Sequence, residues 1–240
     1  MYDTINRHRQ VQYPLILWHE GNIPASHQKY VLARESNHDV RFVDVSAAFR
    51  LPWRIDESEL VENWGIGYRL MCRFHYYHIW EYIQSFTYVM RIDEDCILNH
   101  VGTEPIEWLR RTGLEFGVAA HDREAHELTN VTLAPFVSRY TERVDAESHM
   151  QEPYNRCFPY TNLYVTRTAF WLQPRVQRYL AAVAQERDSI RFRWGDLPVL
   201  GTALNMFVAP SGVGMIPNLS YRHGSHHVTV STMSGVSSVG

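Results

Sequence analysis

Residues 68–95 constrain the fold of this chain more than any other stretch. YRLMCRFHYYHIWEYIQSF places Leu70, Phe74, Tyr77, Trp80 and Ile83 at spacings of three or four, which predicts one apolar face on a long helix. TYVMRI follows at once as a short buried strand and runs into three consecutive acids, Asp93, Glu94 and Asp95. Helix feeding strand is the repeating unit of an α/β sheet, and such sheets bind ligands in the crevice outside the carboxyl ends of their strands. Asp93 and Asp95, two residues apart, are placed to share one hard divalent cation, which in turn suits a phosphorylated ligand.

The rest of the chain repeats the alternation. YPLILW (13–18), a helix over 24–36 and VRFVDV (40–45) read as strand, helix, strand, which predicts a parallel pair. Pro52 and the acidic residues 56–62 mark a loop. Further on, the pattern predicts a short helix over 105–111, a strand over 116–121 ending at Asp122, an irregular polar region over 122–152, a strand over 161–166 and an amphipathic helix over 173–187. In RFRWGDLPV, Asp196 reads as a helix N-cap with Pro198 in the first turn. Residues 1–227 are expected to form one domain and the Ser/Val/Gly-rich residues 228–240 a flexible tail.

Composition narrows the function classes. With 240 residues and 45% hydrophobic content the chain can bury a continuous core. A net charge of -3 without a Lys/Arg block lacks the electrostatic footprint of a nucleic-acid binder. No apolar run approaches the roughly 18 residues of a membrane span, and the polar N-terminus does not read as a targeting segment; no membrane segment is expected and the compartment stays open. The 14 Tyr, 10 Phe and 7 Trp suit a large core and equally a sugar-binding cleft, where ring faces stack on CH surfaces. Three cysteines without zinc-type spacing indicate neither a zinc knuckle nor a complete disulfide framework.

Several residues carry chemistry as well as a plainer structural reading. His223, His226 and His227 supply imidazoles, which suit Mn²⁺ better than Mg²⁺, provided the fold returns them to the acids. Asp196 suits a sugar hydroxyl or a base, and serves equally as a helix cap; Asp122, at another strand end, has the same two readings. Arg69 and Arg73 have the bidentate geometry for phosphate, although ion-paired arginines on a helix are commoner.

The segments YPLILWHEGNI, VRFVDV, GYRLMCRF, YVMRIDEDC, RWGDLPV and SYRHGSHH, in this order, resemble the fungal-type α-1,2-mannosyltransferases of glycosyltransferase family fifteen over roughly residues 11–227. The resemblance implies an α/β GT-A fold, Rossmann-like with a mixed central sheet, using GDP-mannose and Mn²⁺ (or Mg²⁺). It implies transfer of mannose, with retention, to a mannose hydroxyl of a glycan, glycoprotein or glycolipid acceptor. The family's acidic metal motif falls on Asp93, Glu94 and Asp95, and its late Tyr-x-His histidine on His223, implying Asp93, Asp95 and His223 as metal ligands. Tyr68 matches an active-site tyrosine and Asp196 the aspartate expected at the acceptor. Arg69, Arg73, Asp93 and Glu94 are the expected donor-binding set.

The sequence departs from that pattern in three places. Tyr164 stands where the family carries a glutamate considered as nucleophile, so retention proceeds by same-face attack, or Asp122 contributes, or the protein is inactive. Only about a dozen residues precede YPLILW, where the family has a further strand and helix contacting the nucleotide, and no anchor is present. Two other functions compete: a non-catalytic sugar-nucleotide or glycan-binding relative, and a metal-dependent hydrolase of a phosphorylated sugar.

Overall fold

A computed structural model of the chain describes residues 13–36, 38–144, 149 and 152–224. The expected tail over 228–240, with His226 and His227, lies outside the described residues. β1 (Leu15–His19) and β2 (Val40–Asp44) pair in parallel across α1 (Ala25–Arg34), as the strand, helix, strand pattern predicts. The helix that opens the acid-bearing stretch is α2 (Ile66–Arg73), continued by α3 (Ile79–Ile83). β3 (Tyr88–Ile92), β4 (Cys96–Val101), α4 (Pro105–Thr112), β5 (Phe116–Val118) and β6 (His121–Arg123) follow. Then come α5 (Glu127–Val144), β7 (Cys157–Pro159), β8 (Leu163–Arg167), α6 (Thr168–Trp171), α7 (Pro174–Gln185), α8 (Arg187–Arg191), α9 (Asp196–Phe207), β9 (Val213–Met215) and β10 (Leu219–His223).

The central sheet has the order β3-β8-β5-β9 and is mixed: β8 is antiparallel to both neighbours, whereas β5 and β9 are parallel. β4 pairs with β10 and β6 with β7, both antiparallel. The parallel pair expected from the first strands is β1–β2, and the central sheet is mixed as the resemblance implies. The predicted strand over 116–121 is two strands. β5 stays in the central sheet, while β6 turns away to pair with β7 and carries Asp122 with it.

Between α2 and α3 the helix widens into a π turn over Phe74–His78, and the amide of Ile79 reaches back to the carbonyl of Phe74. Leu70, Phe74, Trp80 and Ile83 are buried as the spacing predicts, but Tyr76 replaces Tyr77 on the sealed face. Trp80 then stacks on Trp171 with ring centroids 4.5 Å apart and planes 9° from parallel. Each of those rings removes roughly 150–250 Å² from water, about 4–6 kcal/mol.

Local signals account for the helix ends. Glu104 caps α4 by accepting from the amides of Ile106 and Glu107, Pro105 occupies its first turn, and Gly113 ends it in the left-handed region at φ 71°. The region over 122–152 is not irregular throughout, since α5 fills eighteen of its residues. Its buried face comprises Thr129, Asn130, Leu133, Phe136 and Val137. That is a helical period in which polar members and the internal Pro135 mask the apolar stripe. The Asn130 amide is buried, donating to the Glu124 carbonyl while its oxygen accepts from Tyr154.

α9 crosses the core so closely that a Cβ at Gly201 would lie 2.3 Å from the Phe158 ring. Gly201→Ala should therefore destabilise the protein by about 1–3 kcal/mol despite the better helix propensity of alanine. A urea midpoint unchanged or raised in that variant would contradict this packing.

Candidate functional site

The three acids do not merely follow β3; they form the turn into β4. The Cys96 amide donates to the Asp93 carbonyl at 3.0 Å, the Asp93 amide to the Asn162 carbonyl at 2.9 Å, and the Gly224 amide to the Asp95 carbonyl at 3.0 Å. These bonds tie the turn to β8 and to the end of β10. Glycine suits position 224, because a Cβ there would stand 3.2 Å from that of Asp95.

β10 returns His223 to the acids. Its Nε2 lies 3.0 Å from Oδ1 of Asp95, while Nδ1 lies 3.3 Å from the Tyr160 hydroxyl. With Nδ1–H donated to Tyr160, Nε2 presents a lone pair to a carboxylate oxygen, an arrangement that calls for a proton or a cation between them. One ligand atom each of Asp95, Cys96 and His223 lie within 4.8 Å of one another. These three side chains offer donor atoms of the kinds that can hold a divalent cation. Glu94 is exposed in the same turn.

Asp93, expected as a second ligand, is engaged from beneath. The Arg91 guanidinium, 8% exposed, donates Nε to Asp93 Oδ1 at 2.8 Å and Nη1 to Asp196 Oδ2 at 2.5 Å. Burial raises the Asp93 carboxyl above its ordinary range against the pull of Arg91, and the charge of Asp196 adds to the rise. Burial would also raise Asp196, but Arg91 outweighs it and holds that carboxyl at about 2. Asp196 is thus not the N-cap read from RWGD. Gly195 holds that position, and Asp196 sits buried in the first turn, where the helix dipole and Arg91 both favour its charge.

Tyr164 faces Arg91 across the β3–β8 ladder and stacks on Phe116 at 4.9 Å. It is 1% exposed, and burial pushes its phenol up to about 12. The expected place of Tyr164 at the reacting centre is therefore corrected: an alternating strand residue with this register points into the core. His75, in the π turn, packs near the same buried charges; burial, with the charge of Arg91, depresses its imidazole to about 3, and its Nδ1 is sealed without a hydrogen-bond partner. Stability should accordingly be complete above pH 6.5 and fall by a few kcal/mol as pH drops toward 3, because the unfolded imidazole takes up a proton that the folded one refuses. His75→Phe should flatten that slope in pH-dependent urea unfolding, and an unchanged slope would remove His75 as its source.

Tyr68 is half-buried, its ring tilted by 32° against that of Trp64 at 4.4 Å, and accepts from Nη2 of Arg193 at 3.4 Å. The Arg193 guanidinium lies 4.8 Å from the Trp64 ring and 5.4 Å from that of Tyr68. Trp64 remains 38% exposed, so this cluster forms a wall with an open rim. Arg69 and Arg73, expected at a phosphate, are occupied elsewhere. Arg69 donates to the carbonyls of Val61, Trp64, Ile190 and Arg191, pinning the loop before α2 to α8. Arg73 donates to His78 Nε2 at 2.6 Å and to the Ala184 carbonyl. Asp122 caps its own neighbour by accepting from the Arg123 amide at 2.7 Å. Its charge, after burial, contributes to the raised phenol of Tyr160.

The sequence reading passed over Arg91, Tyr160, Cys96 and Arg193. Arg91 is a charge inside a strand otherwise apolar, which signals a buried partner; nothing local marks Tyr160, whose relation to His223 is purely tertiary.

The family model for glycolipid 2-alpha-mannosyltransferase matches residues 25–234. The chain is similar to the glycolipid 2-alpha-mannosyltransferase of Saccharomyces cerevisiae, 22% identical over an alignment 174 residues long that covers 65% of this chain and 38% of that protein. It spans about half the length or less of the curated relatives compared. Its fold superposes on core-mannan synthase A from Aspergillus fumigatus in a Mn/GDP form with a TM-score of 0.80 at 15% identity, covering 92% of this chain and 68% of that one. It superposes equally on the mannosyltransferase Ktr4p from S. cerevisiae, with a TM-score of 0.81 at 16% identity over 92% and 65% of the two chains. These likenesses show the GT-A fold.

Proposed function

The chain belongs to the glycolipid 2-alpha-mannosyltransferase family, and from that premise we propose that it is a metal-dependent retaining glycosyltransferase moving mannose from GDP-mannose to a mannose hydroxyl in α-1,2 linkage. The observation that carries the proposal is the approach of His223 Nε2 to Asp95 Oδ1 at 3.0 Å, two residues brought together from the acid turn and the last described strand. A GDP-bearing, manganese-bearing relative with the same fold supports the donor and the cation.

Asp95 and His223 would hold the cation, Mn²⁺ or Mg²⁺, with Asp93 beside them. When bound, that cation supplies Lewis-acid charge against the leaving diphosphate. Tyr160 fixes the tautomer of His223, and Arg91, itself held by Asp196, orients Asp93. Tyr68, Trp64 and Arg193 line the sugar cleft. With Tyr164 sealed in the core, retention follows the same-face route. The acceptor oxygen bonds to the anomeric carbon as the bond to the diphosphate breaks, and its proton passes to a departing phosphate oxygen.

A second reading, a non-catalytic binder of sugar nucleotide or glycan, draws on the tyrosine at position 164. Incubation with GDP-mannose, Mn²⁺ and a panel of mannosides separates the readings. Extended glycan and GDP in equal amounts are expected. GDP with free mannose and no acceptor product indicates a hydrolase, and tight binding without GDP release indicates the binder.

A further inference from the structure

The sulfur beside the cation ligands deepens the reading of Asp95 and His223 as a cation site, and rests on it. Cys96 and His223 are direct partners in the antiparallel β4–β10 ladder, so their side chains leave the same face of it. Asp95 brings its carboxylate to the same point from the preceding turn, giving oxygen, nitrogen and sulfur donors within 4.8 Å of one another. In a tetrahedral centre with bonds of about 2.0–2.3 Å the donors stand roughly 3.3–3.8 Å apart, so side-chain rotations of about 1 Å close the set. The Cys96 thiol is in no disulfide, is buried, and lies at a long 3.6 Å from the Asn162 carbonyl to which it donates. Carboxylate with imidazole suits a hard or borderline ion, whereas adding sulfur shifts preference toward thiophilic ions.

We propose that Asp95, Cys96 and His223 form a three-ligand centre that binds a thiophilic divalent cation of the zinc or cadmium type more tightly than manganese, and that such a cation displaces the hard ion from the donor site. As the sulfur–metal bond forms, the thiol proton passes to solvent. The occupant is thus an inhibitory ion, and the sulfur makes the centre a sensor of soft-metal exposure.

Cobalt(II) titration of the full chain tests this, in a Cys157→Ser background that removes the exposed thiol. Visible d–d bands report a bound ion, and a near-ultraviolet charge-transfer band reports a sulfur ligand. Both are expected, and in Cys96→Ala the charge-transfer band should vanish while the d–d bands persist. Zinc affinity, measured by competition with a chromophoric chelator, should fall about tenfold or more in Cys96→Ala, and manganese affinity, measured by spin resonance, by less than about threefold. Cys96→Ser, which keeps the side-chain volume, should behave the same way if the alanine variant folds poorly. Cobalt d–d bands without charge transfer in the Cys96 protein overturn the inference and leave the manganese reading standing. No cobalt bands at all overturn both.

Discussion

Asp196→Asn is expected to destabilise the protein by about 3–5 kcal/mol, because it strips one carboxylate from a guanidinium that is only 8% exposed. Arg91 is held between two acids, and they are not equivalent. The Asp196 side chain is 10% exposed, whereas that of Asp93 retains 29% exposure at the surface turn. Asp93→Asn should therefore cost clearly less, about 1–2 kcal/mol. Urea unfolding of the two variants in parallel checks the ranking; equal midpoints would mean that Arg91 finds water or another partner. The pH dependence has a definite sign. Since Asp196 is held at about 2 against an ordinary 3.8, its contribution is complete above pH 3.8 and disappears as pH falls toward 2.

Asp95→Ala is expected to behave in the opposite manner, lowering metal-dependent turnover of GDP-mannose about a thousandfold with little effect on folding. Asp95 is exposed, and the bonds that hold its turn run through its backbone, which alanine keeps. Its side chain faces His223 and contributes little to the core, so the melting midpoint should stay within the range of ordinary surface substitutions, about 0.5 kcal/mol. Full turnover in this variant, or in the native protein with chelator present, would sink the proposed mechanism.

Much of the architecture was legible because its periods are clean. The strands over 13–18, 40–45 and 161–166 and the helices over 105–111 and 173–187 all have counterparts within a few residues. The failures have specific causes. α5 buries Thr129 and Asn130 among its core residues, so hydropathy alone does not trace its face. Inside the π turn Tyr76 rather than Tyr77 is sealed, which a fixed 3.6-residue period does not anticipate. β6 and β7 have only three residues each, and β4, β6 and β7 all have exposed positions that read as loop. At the site, Asp93, Asp95 and His223 were readable as chemical types, yet Arg69 and Arg73 looked identical to phosphate binders until their carbonyl and imidazole partners were visible.

The sequence by itself determined the alternation of strands and helices, the acid turn after TYVMRI and membership of a family, since those depend on periodicity and on residue order along the chain. Only the tertiary structure decided which acid meets which base. β10 pairs with β4, setting His223 and Cys96 opposite each other and beside Asp95, while β8 pairs with β3, turning Tyr164 inward against Arg91. The physical reason is that ion pairs and metal ligands act over a few ångströms in space. Residues from β3, β10 and α9 reach that range only after the core has packed.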